Sequence, residues 1–85
     1  MASYSLFLKP SAVKELEAVP MADRRRIVSR IRGLGAEPRP RGCEKLSGEE
    51  KYRVRQGTYR VVYSIDDETR EVVVVKIGHR RDVYR

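Results

Sequence analysis

Lys51–Ile65 reads KYRVRQGTYRVVYSI, and its alternation decides the fold of the second half of the chain. In the first run Tyr52 and Val54 take one side while Arg53 and Arg55 take the other. In the second, Tyr59 and Tyr63 alternate with arginine and point toward a core. Gln56-Gly57-Thr58 sits between the runs. The pattern predicts a β-hairpin with strands over Tyr52–Arg55 and Tyr59–Ile65. Arginines on the outer face of such a strand are either ordinary solubilising charge or the floor of a site that grips a polyanion.

Downstream, Asp66-Asp67-Glu68-Thr69 turns the chain into EVVVVKI, Glu71–Ile77. Four consecutive valines predict a strand buried on both faces and therefore central in a sheet. Gly78 is expected to close it, leaving GHRRDVYR as a tail. Upstream, Ala36–Gly42 (AEPRPRG) is a loop punctuated by Pro and Gly. Before it, Ile27, Ile31 and Leu34 form the apolar stripe of a helix from about Met21 to Gly33. Arginines 24, 25, 26, 30 and 32 lie around that stripe, and Gly33 and Gly35 read as stop signals. Ala12, Val13, Leu16 and Val19 recur at helical spacing between Pro10 and Pro20, which predicts a shorter first helix. SYSLFLK, Ser3–Lys9, alternates as a short strand. The order implies an α+β fold. An N-terminal strand and an αα-hairpin precede an antiparallel three-stranded meander, and the helices cover one face of a single sheet. Residues 1–85 are expected to form one domain.

Composition narrows the function classes. The chain has 85 residues, 19 Lys+Arg against 12 Asp+Glu, and a net charge of +7. A domain this short buries only roughly 60–65% of its unfolded surface, so its core is thin. The positive balance draws it to nucleic acid, anionic lipid or an acidic protein. The single cysteine, Cys43, rules out an internal disulfide and a cysteine zinc cluster. No apolar run approaches the ~20 residues of a membrane span, and Met1 opens no signal-peptide pattern, so a cytoplasmic protein without membrane partners is expected.

KLSGEEKYRVRQGTYRVVYSI, followed by VVVVKIGHRRDVYR, resembles the RelE/ParE toxin superfamily, and its RelE branch in particular. The likeness covers nearly the whole chain in the same element order. It implies the toxin of a type II toxin–antitoxin system, a ribosome-dependent mRNA endoribonuclease (mRNA interferase) that cuts the codon in the ribosomal A site without metal or cofactor. It also implies an acidic RelB-like antitoxin as partner, besides ribosome and mRNA. By the same likeness, Arg53 and Arg55 correspond to basic catalytic or phosphate-binding residues. Arg60 and Arg80 correspond to arginines at the scissile phosphate, and Tyr84 to a tyrosine that stacks on a base. His79 stands where relatives carry a basic residue or a catalytic histidine. Family members often have lysine at the positions of Arg53 and Arg55. A lysine can give up its proton and serve as a base, whereas arginine stays charged, so the proton acceptor is open here.

Cleavage by an attacking 2′-OH needs a proton acceptor, cations for the developing phosphorane charge, and a donor for the leaving 5′-oxygen. Arginine's planar fork suits the middle task. The expected catalytic set is Arg55, Arg60, His79, Arg80 and Tyr84, with His79, the sole histidine, as first candidate acceptor and Glu49 or Glu50 as alternatives. Lys45, Lys51, Arg53 and Arg81 are the expected RNA-backbone contacts. Two alternatives share the fold: a ParE-like inhibitor that binds DNA gyrase without chemistry, and a degenerate toxin that only binds its antitoxin.

Overall fold

A computed structural model describes residues 3–48 and 50–79. In chain order the elements are β1 (Ser5–Leu8), α1 (Pro10–Glu17), α2 (Met21–Ala36), β2 (Glu44–Lys45), β3 (Tyr52–Gln56), β4 (Tyr59–Asp66) and β5 (Glu71–His79). The strands form one sheet in the order β1-β5-β4-β3-β2. β1 runs parallel to β5, and every other pair is antiparallel. The α+β class and the helices-on-one-face arrangement are as the sequence implies. Parallel pairing of β1 and the two-residue strand β2 are additions to the expected meander. Among the described residues, no helix is long and apolar enough to cross a membrane.

Local chemistry explains the helices. Pro10 opens α1, where its missing N–H costs nothing. The carbonyls at the end of α1 are taken up by the next helix: Arg24 donates to the oxygens of Val19 and Glu17, each at 3.2 Å. Along α2, Ile27, Ile31 and Leu34 are buried on one stripe. The helix does not stop at Gly33 but continues to Ala36, contrary to the expectation. Gly35 is there for closeness, because β1 passes beside it. A Cβ at position 35 would meet the Tyr4 carbonyl oxygen at 3.2 Å and the Leu6 side chain at 3.5 Å. The Tyr4 N–H bonds the Gly35 carbonyl at 2.8 Å.

Ile27, Leu34, Val54, Val61, Tyr63, Val72, Val74 and Ile77 fill the core between the helices and the sheet. β5 is an interior strand, as its valines suggest, but it is not buried on both faces. Val72 and Val74 are buried, while Val73 and Val75 are only half-buried on the face that carries no helix. Nor does the strand close at Gly78; it runs on through His79. The register shifts between Val62 and Tyr63, which pair with Lys76 and Val74, so Val75 is an extra residue in β5. Beyond Val74, β5 has no β1 neighbour. The Glu15 carboxylate from α1 takes over that edge, accepting from the Ile77 N–H at 3.0 Å and pairing with Lys76 at 3.3 Å.

The loop between α2 and β2 is held from both sides. Tyr63 is fully buried, and its hydroxyl donates to the Pro38 carbonyl at 2.7 Å. Arg39 lies 5.2 Å over the Tyr52 ring and makes two hydrogen bonds to Asp67, at 3.1 and 2.9 Å. Tyr4 adds a third to the same carboxylate, at 2.7 Å. Arg39 first, and Tyr4 second, hold Asp67 below its usual carboxylate range.

Two tests follow from this packing. A Cβ at Gly33 meets nothing within 4 Å. Gly33→Ala should therefore stabilise by about 0.5–1 kcal/mol through helix propensity, whereas Gly35→Ala should forfeit that gain to its contact with the Tyr4 carbonyl. Equal stabilisation by both, in urea unfolding, would contradict the close approach of β1. Burial, with Cys43 next, raises the Tyr63 phenol above its ordinary 10.0. The folded state thus keeps this proton to higher pH than the unfolded chain. Its stabilising effect is complete below about pH 10 and declines as pH rises beyond it. Tyr63→Phe should cost about 1 kcal/mol at neutral pH and visibly weaken the alkaline fall in stability. An unchanged alkaline profile in that variant would assign the fall to other groups.

Candidate nucleic-acid interface

The face of the sheet away from the helices carries the arginines. Their grouping follows from the hairpin. Gly57, with φ +61, makes a two-residue turn with Thr58; Gln56, expected in the turn, is the last residue of β3. That turn sets Arg55 directly opposite Arg60, with Gln56 opposite Tyr59 and Arg53 opposite Val62. On its other side Arg60 faces Gly78 of β5. Directly opposed residues share a face and have Cβ atoms only about 4.5–5.5 Å apart. The two arginine side chains therefore leave the sheet side by side, and Gly78 contributes no side chain over the next position in the row.

Like charges opposed across strands are destabilising, and the protein supplies a counter-charge from β2. Glu44 faces Arg53 in the register. Its carboxylate meets Arg53 at 2.5 Å through one oxygen and Arg55 at 3.8 Å through the other. The Arg53 side chain is 12% exposed and firmly seated; that of Arg55 is 59% exposed and faces solvent. Arg53 and Arg55 thus share the Glu44 carboxylate, and Arg60 stands opposite Arg55 on the next strand. Chemically this group can accept a phosphodiester, whose paired oxygens match the guanidinium fork.

The expected site residues separate as follows. Arg53, Arg55 and Arg60 share the open face. His79 pairs with Tyr59 and packs edge-on against its ring, centroids 5.8 Å apart. Tyr59 alternates with Arg60, so the ring of His79 belongs to the helix-covered side, at the same end of the sheet as the arginines but on the other face. Lys45 sits on the edge strand β2, paired with Glu50 at 3.6 Å. Lys51 is half-buried just before β3. Glu49, Arg80, Arg81 and Tyr84 lie outside the described residues. Glu44 was not expected. Its two-residue strand is too short to show a period, and the signal available was a carboxylate placed one turn before an arginine-bearing strand.

Charge is segregated along the open face. At the far end from the arginines, Asp66, Asp67, Glu68, Glu71 and Glu50 line one depression. Asp66 Oδ1 accepts from the N–H groups of Glu68 and Thr69 at 3.0 and 3.2 Å, which shapes this acidic turn. A polyanion is therefore attracted to the hairpin end and repelled from the other.

The family model of the ParE toxin of type II toxin–antitoxin systems, parDE, matches residues 6–84. The toxin RelG of Mycobacterium tuberculosis is 50% identical over 34 residues, a match spanning 40% of this chain and 39% of that protein. Among solved structures, the RelBE2 toxin–antitoxin complex of M. tuberculosis contains a chain that superposes with a TM-score of 0.82 at 31% identity. That superposition covers 92% of this chain and 99% of the other. The archaeal RelE–RelB complex of Pyrococcus horikoshii gives 0.83 at 31% identity, over 95% and 99% of the two chains. With the fold, the arginine-bearing hairpin and these likenesses in agreement, the chain belongs to the RelE branch of the RelE/ParE superfamily and is a RelE-like toxin of the type II toxin–antitoxin class.

Proposed function

We propose that residues 1–85 act as a single toxin domain, a ribosome-dependent, metal-free endoribonuclease that cleaves mRNA in the ribosomal A site. The observation that carries this reading is the opposed pair Arg55–Arg60 beside Arg53, a cluster of like charge on an open sheet face. Arginine forks grouped on one face match the paired oxygens of a phosphate. In the reaction the 2′-oxygen forms a bond to the adjacent phosphorus and the bond from phosphorus to the 5′-oxygen breaks. A cyclic phosphate is left on one fragment and a 5′-hydroxyl on the other. One proton leaves the 2′-OH and another reaches the departing oxygen.

Arg53, Arg55 and Arg60 hold the phosphate and stabilise the dianionic phosphorane. Arginine stays charged and cannot take the 2′-proton. Among the candidate acceptors, Glu44 touches the Arg53 and Arg55 guanidiniums directly, Glu50 pairs with Lys45, and the ring of His79 rests against Tyr59 on the other face. Glu44 is therefore assigned as the acceptor. Phosphate oxygens displace its carboxylate from Arg55 and leave it beside the substrate hydroxyl. His79 and Arg80 enter from the family likeness as further groups at the scissile phosphate, Tyr84 as a stacking platform worth roughly 1–3 kcal/mol. Lys45, Lys51 and Arg81 make backbone contacts. The relatives solved with RelB support an acidic antitoxin as the partner that silences this toxin.

Primer extension on mRNA under translation tests the reading. The parental protein should cut only on ribosomes, and Arg55→Ala or Arg60→Ala should lower cutting about 10²–10³-fold, as loss of a preorganised transition-state donor does. Inhibition of DNA supercoiling without mRNA cleavage would replace it with the gyrase-inhibitor alternative. A second comparison assigns the proton acceptor. Glu44→Gln should lower the cleavage rate about 10²-fold or more. If His79→Gln does this instead and Glu44→Gln cuts normally, the acceptor is the histidine.

A further inference from the structure

On the helix-covered side of the hairpin end lies a cavity of about 350 Å³, lined by Arg26, Ser29, Arg30, Gly33, Pro40 and Gln56. The four α2 residues follow at intervals of three, one and three, so they share one stripe of the helix. Gly33 adds no side chain, and a Cβ there would meet nothing within 4 Å. The Arg30 Nε is buried and has no hydrogen-bond partner. Among the described residues, neither Arg26 nor Arg30 has a carboxylate within ion-pair distance, although Arg39, Arg53, Arg55, Lys45 and Lys76 all do. A buried guanidinium nitrogen without an acceptor is costly, and a cation-lined hollow containing one is completed by an anion. Ser29 and Gln56 add a hydroxyl and an amide that can donate to the same ligand.

Its position indicates which anion. Gln56 follows Arg55 directly, and its cross-strand row, Gln56–Tyr59–His79, is next to the row Arg55–Arg60–Gly78. The cavity and the arginine cluster thus lie on opposite faces of the same sheet end, separated by the Gly57–Thr58 turn. We infer that the cavity is a second phosphate subsite, which takes a backbone phosphate of a nucleic-acid strand that bends over this turn. It is distinct from the phosphate that is cut. This rests on the nucleic-acid reading of the arginine face but not on cleavage.

The test is equilibrium binding of a single-stranded oligonucleotide, made uncleavable by 2′-deoxy substitution, to the full chain at several salt concentrations. Each phosphate neutralised on a single strand contributes about 0.7 to the slope of log K against log salt. Arg30→Gln and Arg26→Gln should each weaken binding and reduce that slope by up to about 0.7. Gly33→Leu, which plugs the cavity and keeps both arginines, should do the same. Arg32→Gln, on the same helix but outside the cavity, gives the loss expected from net charge alone. Equal losses at Arg30 and Arg32, or normal binding by Gly33→Leu, would overturn the subsite. Preference for a poly-glutamate chain over the oligonucleotide, with the same Arg30 dependence, would also overturn it by assigning the cavity to an acidic protein. Primer extension on the same variants separates the two readings. A parental protein that does not cut mRNA but shows the slope loss retains the subsite without the nuclease. One that cuts, with slopes unchanged in all three variants, retains the nuclease without the subsite.

Discussion

A two-residue turn at Gly57–Thr58 determines which side chains face each other across β3 and β4, and the rest of the candidate site depends on that pairing. The period of a strand is two, so a slip of one residue would send Arg55 and Arg60 to the helix side and expose Val54 and Val61. Those valines are fully buried, so the core and the turn enforce the same register. The repulsion between the opposed guanidiniums is small beside the cost of exposing that core face. The fold can therefore keep the two arginines opposite each other, which is the preorganisation the proposed phosphate site requires.

The two ends of the sheet are electrically distinct. From Arg60 to Asp66, six residues of strand at ~3.3 Å each span about 20 Å, more than twice the ~8 Å Debye length at physiological ionic strength. The acidic turn consequently does little to neutralise the arginines, although both belong to a body only 33 × 27 × 25 Å across. Asp67 is further occupied by Arg39 and Tyr4, which tie the turn to the loop after α2 and to the start of β1. The net charge of +7 is thus poorly represented by an average. A ligand at the hairpin end meets a concentrated positive field, and one at the other end meets the opposite sign.

The hairpin was legible because alternation, Gly57 and the aromatic spacing agree. Three features were not, each for a physical reason. Glycine reads as a helix stop, but at position 35 its use is to admit β1 at close range, a tertiary constraint with no local signature. β2 is two residues long and has no period to detect. The third is the extra residue at Val75, which lies in a run of four identical side chains where phase cannot be seen. Continued without the bulge, alternation from Val72 and Val74 would bury Lys76 and place His79 on the face of Arg60. With it, Lys76 emerges toward Glu15, Ile77 enters the core, and His79 meets Tyr59. The lysine followed by an isoleucine after the valines was the available sign that the phase had to change.

For the cleavage proposed above, arginine rather than lysine at positions 53 and 55 decides how labour is divided within the site. A lysine near phosphate can serve as cation in one protonation state and as base in the other, which couples binding to proton transfer. Arginine keeps its charge throughout the accessible pH range and offers two aligned donors, so phosphate binding becomes insensitive to pH. Proton transfer must then come from a different chemical group. A carboxylate is suited to this only if it stands beside the cations without remaining locked to them. Glu44 satisfies both conditions: it is on a short edge strand, half-exposed, close to the seated Arg53 and more distant from the open Arg55. An incoming phosphate competes with it for the outer guanidinium while the inner one keeps it nearby. In the proposed mechanism, the ion pair between Glu44 and Arg53 is thus what positions the base.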